Sequence, residues 1–338
     1  MTPAEGADVR AARIRRGAGW FALSDRGLLC VRGSDRVRWT NGMVSNDVER
    51  LAPGSDRSGC HALLLTAQGR IVADLRVIAR EQELWLELQG DVLPDVAKRL
   101  ERYVIADDVT ITDESAQWRR FALEGPRAPE LLARVLGAPV AIASDSAADV
   151  TIAGVPVVAA AWGSSGESAY QLFVPAAAAD RVAEAVAAVA REGELELADA
   201  EVLEVLRIEA GTPRQGRELT EEVLPAETGL VGRAVSTTKG CYTGQEIVAR
   251  MQSRGSASHR LVGLRCDAAD ADPPQVGAEI SAGDQGIGSV TSACRSAHAG
   301  AIALGYVRSA HATPGGAVEV SGARAHLAEL PFVESARR

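Results

Sequence analysis

Apolar residues run through positions 71 to 80 and 83 to 89, and the Ile, Val and Leu there predict a pair of strands. The spacing then changes to that of a helix. Pro94 suits a first-turn position, and Val96, Leu100 and Tyr103 form a helical stripe. A second unit of the same kind follows. Residues Val150 to Val158 and Tyr170 to Val174 read as strands, and Pro175 opens an alanine-rich helix from Ala176 to Arg191, stopped by Gly193. Two hairpin-then-helix units predict a duplicated α+β architecture. A further helix, from about Ala198 to Ala210, ends at Gly211-Thr212-Pro213, where Gly and a following Pro make a stop signal. Residues Arg214 to Thr238 carry Gly and Pro punctuation with little periodicity, as ordered functional loops often do. After residues 253 to 258 the texture becomes short Val, Leu and Ile runs between Gly, Asp and Pro, which predicts a small β-barrel or sandwich. The expected division is therefore 1–258 and 259–338.

Just before that boundary stands the octapeptide Lys239-Gly240-Cys241-Tyr242-Thr243-Gly244-Gln245-Glu246. Ile247 to Met251 have helical apolar spacing, so the Thr243-Gly244 turn is expected to open a helix and present free backbone N–H groups to the Cys241 sulfur. With Lys239 as a neighbouring cation, this is an environment that favours a thiolate, nucleophilic or metal-reactive. A buried, inert cysteine is the plain alternative.

Composition sharpens the reading of Lys239. The chain has 34 arginines but only two lysines, Lys98 and Lys239, and only two asparagines, Asn41 and Asn46. A lysine kept where arginine is the default cation points to a task for a compact donor or an adjustable charge. Lys98, beside Arg99 and Arg102, belongs to an ordinary amphipathic helix. A length of 338 residues exceeds one hydrophobic core, and a net charge of −9 argues against a general nucleic-acid binder. The N-terminal residues have no basic segment leading into an apolar run, and no stretch approaches the roughly 18 apolar residues of a membrane helix, so a cytoplasmic protein without a membrane partner is expected. Five widely spaced cysteines with no C-x-x-C pair predict neither a disulfide framework nor a standard zinc site.

The octapeptide resembles the signature of the YgfZ-type folate-binding proteins, which are related in fold to the T-protein (aminomethyltransferase) of glycine cleavage. The resemblance extends to Thr40–Val48, Arg207–Pro213, Leu224–Leu230, Gly286–Ser292 and Ala303–Val307, and is weakest between about 110 and 195. It implies a duplicated ferredoxin-like folate-binding domain with a C-terminal β-barrel, and tetrahydrofolate or a one-carbon derivative as ligand. It further implies an accessory role in assembling or repairing iron-sulfur proteins, with such proteins as partners and an indirect effect on tRNA modification. The rival function is a tetrahydrofolate-dependent aminomethyltransferase or other one-carbon transferase. Direct RNA binding is the reading least supported.

Within that resemblance Cys241, Lys239 and Asp74 are the expected reactive residues. Asp74 would face the folate N5 and N10 region and steer a proton there, or else be a salt-bridged strand acid. T-proteins show two adjacent acids where this chain has Ala73-Asp74. Gln171 stands where a T-protein glutamate accepts from the pterin, and a neutral amide would weaken that contact by about 1 to 2 kcal/mol if buried. Asn41 and Asn46, with Asp47, would line the pocket or serve as turn residues. Glu227 would bind the ligand, pin Lys239 or brace its loop. Arg207 would pair with Glu209 or hold the folate tail. Tyr242 and Arg250 complete the expected ligand set, Arg250 on the same helix as Cys241. His61 and His259 are candidates for proton transfer by rarity alone, and Cys30, Cys60, Cys266 and Cys294 read as packing residues.

Overall fold

The computed structural model describes residues 5–335 apart from Glu192, Ser256 and residues 268–271. In chain order the first half contains α1 (Ala7–Ile14), β1 (Ala18–Ala22), β2 (Arg26–Arg32), α2 (Arg36–Met43), β3 (Gly59–Leu65), β4 (Ile71–Ala79), β5 (Glu83–Gln89), α3 (Leu93–Glu101), β6 (Thr110–Asp113), β7 (Trp118–Glu124) and α4 (Ala128–Leu136). Then come β8 (Ala147–Ile152), β9 (Val155–Ala160), β10 (Ala169–Pro175), α5 (Ala179–Val189), β11 (Leu195–Ala198), α6 (Ala200–Glu209), α7 (Val231–Ala234) and α8 (Gln245–Arg254). The last part is β12 (His259–Cys266), β13 (Glu279–Ala282), β14 (Gln285–Ser296), β15 (Gly300–Arg308), β16 (Ala317–Val320) and β17 (Ala323–Ala328).

Two sheets face each other. One runs β3-β4-β5-β2-β6 and the other β11-β1-β7-β10-β9-β8. Strand alternation sends Ala73, Leu75 and Val77 of β4 to the outer face, where they pack with Trp39, Val96 and Leu100 of α2 and α3. The second sheet does the same with Leu123, Leu172 and Val174 against Leu131 of α4 and Val182 of α5. The inner faces meet through Leu28, Ile78, Trp85, Trp162 and Phe173, with Trp85 and Phe173 ring centroids 5.5 Å apart. The result is four layers, and the duplication expected from the two pattern repeats is present as two sheets with outer helices. The last six strands close a barrel in the order β12-β15-β14-β13-β16-β17.

Three local expectations need correction. The 150–158 run is a hairpin of β8 and β9, turned at Ala153 and Gly154 with φ of 49° and 74°. Pro175 ends β10 and leads through a 3-10 turn into a helix that starts only at Ala179. Tyr103 lies beyond α3 and is exposed, so only Val96 and Leu100 of its stripe are core.

α1 and α6 join the layered part to the barrel. Ile14, Leu206 and Ile208 pack with Ile302 and Leu304 of β15. Beside this seam Arg15 is buried, with Nη1 2.9 Å from Glu167 and Nε 2.9 Å from Glu209. Glu209 also accepts from the Ser296 hydroxyl at 2.6 Å, and Glu167 from that of Ser335 at 2.9 Å. Removing one partner of a buried ion pair strands the other's charge and costs about 3 to 5 kcal/mol. Arg15→Ala is therefore expected to lower the free energy of unfolding by that amount in urea titration, with loss of contact between the barrel and α6.

Candidate functional site

A cavity of about 300 Å³ opens where the two inner faces diverge beyond their aromatic contact. Its walls come from β2, β4 and β5 on one side, from β7 and β10 on the other, and from α6 with residues 212–215 across the top. Phe21 and Trp162 supply apolar wall, and Asp74, Arg26, Arg76, Glu124, Gln171, Arg207 and Arg214 supply the chemistry.

Asp74 is on the inner face of β4 because its neighbours Ala73 and Leu75 take the outer one. β3 pairs with β4 so that Leu63 opposes Asp74 and His61 opposes Arg76, which sets His61 diagonal to Asp74. The His61 Nε2 makes a very short hydrogen bond to Asp74 Oδ1. Burial alone would raise the Asp74 pKa, but His61, Arg76 and Arg26 outweigh it and hold the carboxyl below its usual range. Burial lowers the pKa of His61, which is 3% exposed, and its Nδ1 has no partner among the described residues. The consistent state is a carboxylate accepting from a neutral, Nε2-protonated imidazole. The backbone N–H of Asp74 donates to Gln215 Oε1 at 3.1 Å, and Gln215 Nε2 donates to Val72 O at 3.2 Å. That amide substitutes for a strand partner and fastens residues 212–215 over the cavity.

Across from Asp74, the second sheet presents Glu124 and Gln171. Glu124 opposes Ala169 and Ala122 opposes Gln171 in the β7–β10 pair, so the two polar side chains are diagonal neighbours on the inner face. Glu124 accepts from Ser165 N at 2.8 Å and Ser164 N at 3.2 Å, while burial raises its pKa. Gln171 Oε1 is buried without a hydrogen-bond partner among the described residues. On the floor Arg26 grips Glu87 with two bonds, the longer being 2.6 Å from Nη2 to Oε2. At the top Arg207 bonds Glu204, Glu218 at 2.9 Å and the β14 residue Ser292 at 2.5 Å. It therefore ties the cavity to the barrel, and its partners are Glu204 and Glu218 rather than Glu209.

The other sequence candidates lie away from this cavity. Lys239 is buried and spends its three N–H bonds on the carbonyls of Asn41, Val44 (2.8 Å) and Asn46 (2.8 Å). Burial draws its pKa down to about 8, against the opposing charge of Asp47. The ammonium is thus not spent on Cys241, which is exposed, precedes α8 and is absent from the cavity wall. Gly244 caps α8 at φ 83°, and a Cβ there would sit 2.6 Å from Thr66 O, so the motif needs glycine to lie against the β3–β4 turn. Tyr242 packs with Leu63, Leu65, Ile71 and Val248, its ring 5.2 Å from the Lys239 ammonium. Asn41 Oδ1 accepts from Val48 N at 3.0 Å, and Asn46 Nδ2 donates to His61 O at 2.7 Å. Glu227 accepts from Leu224 N and His259 N, which braces the loop against β12. Arg250 is an exposed partner of Glu246 on α8, a helix that does not include Cys241. Burial pushes the thiols of Cys60 and Cys294 up to about 12.

Of the expected ligand set, then, Asp74, Gln171 and Arg207 converge. His61, Glu124, Arg26 and Gln215 belong with them and had no signal beyond rarity for His61 and the Glu124-Gly125-Pro126 turn after a strand.

A layered α+β unit whose two facing sheets enclose a polar-walled cavity, carried together with a six-stranded barrel, is the class of protein this geometry defines. Residues 3–239 match the GCVT N-terminal domain, and residues 259–334 match the glycine cleavage T-protein C-terminal barrel domain. The chain belongs to that glycine cleavage T-protein family. An aminomethyltransferase from Shouchella clausii is 29% identical over 94% of this chain and 87% of its own length. One from Symbiobacterium thermophilum is 30% identical over 96% and 88%. The crystal structure of the glycine cleavage system aminomethyltransferase T from Bartonella henselae has the same fold, with a TM-score of 0.86 at 23% identity over 98% of this chain and 90% of that one. These relatives overturn the expectation of an iron-sulfur accessory protein with a reactive cysteine beside the folate cavity, and with it the iron-sulfur partners. Cys241 also lies off the cavity wall. No helix among the described residues is long and apolar enough to cross a membrane.

Two outcomes test this geometry. Lys239→Met leaves buried carbonyls unpaired and is expected to lower the unfolding free energy by at least about 1 to 3 kcal/mol, whereas Cys241→Ser stays within about 0.5 kcal/mol. For Asp74 the folded pKa is below the unfolded one of about 3.9, so its contribution is present above that pH and lost as pH falls through the folded value. The stability gap between wild type and Asp74→Asn should accordingly shrink as urea titrations move below about pH 4.

Proposed function

We propose that this protein is a tetrahydrofolate-dependent aminomethyltransferase or closely related one-carbon transferase, with Asp74 as its acid-base group. The observation that carries the proposal is an ionised, hydrogen-bonded carboxylate on the wall of the inter-sheet cavity, in a chain whose relatives are aminomethyltransferases. Tetrahydrofolate is the one-carbon acceptor for enzymes of this family and supplies amine nitrogens that take up the carbon.

The cavity suits such a molecule. Phe21 and Trp162 offer flat apolar surface, the unpartnered Gln171 Oε1 accepts from a ring N–H, and Glu124 stands beside it. The pairing of Gln171 with an adjacent Glu124 answers the missing charge expected at position 171, because an acid is present on the neighbouring strand. Arg214, half-exposed at the rim, suits an anionic tail. Asp74, fixed by His61 and flanked by Arg26 and Arg76, accepts a proton from an amine and stabilises a cationic one-carbon centre. Because it is ionised throughout the neutral range, it acts as base or electrostatic partner first, not as a proton donor. The division at 258/259 follows as part of this reading, with the ligand held by the layered unit and the barrel bracing Arg207. The octapeptide at 239–246, which carries the likeness to YgfZ-type proteins, serves as a structural brace.

The decisive experiment is anaerobic calorimetric titration of tetrahydrofolate, followed by a one-carbon transfer assay from an aminomethyl donor. Wild type is expected to bind and turn over. Asp74→Asn should bind within a few-fold but lose about 10²- to 10⁴-fold in kcat, and Cys241→Ala should keep both. Unchanged turnover in Asp74→Asn, or no binding by wild type, would sink the proposal.

A further inference from the structure

A second cavity of about 320 Å³ lies on the other side of the β1–β2 turn, sharing Ala22, Leu23, Ser24 and Arg26 with the first. Its position follows from unequal strand lengths. β1 pairs with β7 as far as Ala22 opposite Phe121, and Leu23 N still donates to Arg120 O at 2.9 Å, so Trp118 and Arg119 of β7 run on without that neighbour. The remaining wall comes from Ser115, Ala116 and these β7 residues.

The charge of this wall is one-sided. It contains Arg26, Arg119 and Arg120 and no acidic residue, in a chain of net charge −9. Arg26 is neutralised by Glu87, and Arg119 is exposed. Arg120 is different. It is only 4% exposed, it has no ion pair among the described residues, and its Nε and Nη1 have no hydrogen-bond partner there. The indole Nε1 of Trp118, on the same wall, is likewise buried and unpartnered. The guanidinium rests over the Phe173 ring at 5.1 Å, a contact that leaves its in-plane N–H groups unused. Burial, opposed only in part by the charge of Glu87, which Arg26 already grips, draws the Arg120 pKa down to about 10. Buried donors with no acceptor are costly, and a cation costs more, so this wall lacks acceptor oxygens.

We propose that this second cavity binds a small anion, through a carboxylate or phosphate group held by the Arg120 guanidinium with Trp118 and Arg119 beside it. Arginine's fork matches two oxygens of either group. The site stands independently of the transferase reading, since Asp74, Glu124 and Gln171 take no part in it.

The test is calorimetric titration of the full chain at low salt, with inorganic phosphate in one arm and glutarate in the other. Wild type is expected to bind at least one of them in the millimolar range or tighter. Binding of phosphate alone marks a phosphorylated ligand, and binding of glutarate alone marks a carboxylic acid; either supports the site. Arg120→Met should weaken that binding at least about tenfold, while Asp74→Asn in the first cavity leaves it within about twofold. Should Arg120→Met not fold, Ala116→Glu, an exposed position on the same wall, provides the second variant and is expected to abolish binding by placing a carboxylate there. Binding of neither anion by wild type, or binding unaffected by the variant used, overturns the proposal.

Discussion

Apart from Arg120, the buried charges on the facing sheets have partners there, and most of the site follows from that pairing. Trp85, Trp162 and Phe173 close one part of the inter-sheet space with aromatic rings. Where the faces part, β2, β4, β5, β7 and β10 present Arg26, Asp74, Arg76, Glu87, Glu124 and Gln171 in place of aliphatic residues. Glu87 is completely buried and is tolerable only because Arg26 grips both its oxygens. Asp74 is kept ionised by the same means, with a histidine and two arginines around one carboxylate. Electrostatic order at the cavity is thus the price of opening a sandwich core to a polar ligand.

The same logic explains why the barrel is part of the working unit. Arg207 and Glu209 point from one helix into two buried networks, Arg207 to Glu218 and Ser292, and Glu209 to Arg15 and Ser296. Both networks cross from α6 to β14. Shifting the barrel would expose or strand charges at the roof of the cavity, so the barrel fixes α6 and, through Arg207, one wall of the site. The 212–215 segment is secured to β4 by the Gln215 amide, and Thr212 and Arg214 tie it further to Ser164 and Glu218.

Rarity in the sequence pointed to real constraints but not to their chemistry. Lys239 is indeed a place where arginine would not serve, because three carbonyls converge on one nitrogen and a planar fork cannot meet them. Asn41 and Asn46 stand at the same junction, as braces for the chain that leads from α2 to β3. The compact octapeptide holds the long loop against the first sheet. Its chemical look came from adjacency along the chain, whereas adjacency in space gives Lys239 to backbone oxygens and leaves Cys241 exposed.

The sequence by itself determined the strand pair at 71–89, the helix expected at about 198–210 and found at 200–209, the change to an all-β tail and the repeated α+β pattern, because these depend on local periodicity. It also placed Asp74, Gln171 and Arg207 among the candidates through resemblance. Only the tertiary structure could join His61 to Asp74, since that needs the β3–β4 register, and only the packing of one sheet on the other could bring Glu124 and Arg26 to the same cavity from strands nearly a hundred residues apart. Local pattern records which face of an element is apolar; which polar residues meet across two such faces depends on register and packing angle, and those are set by the whole chain.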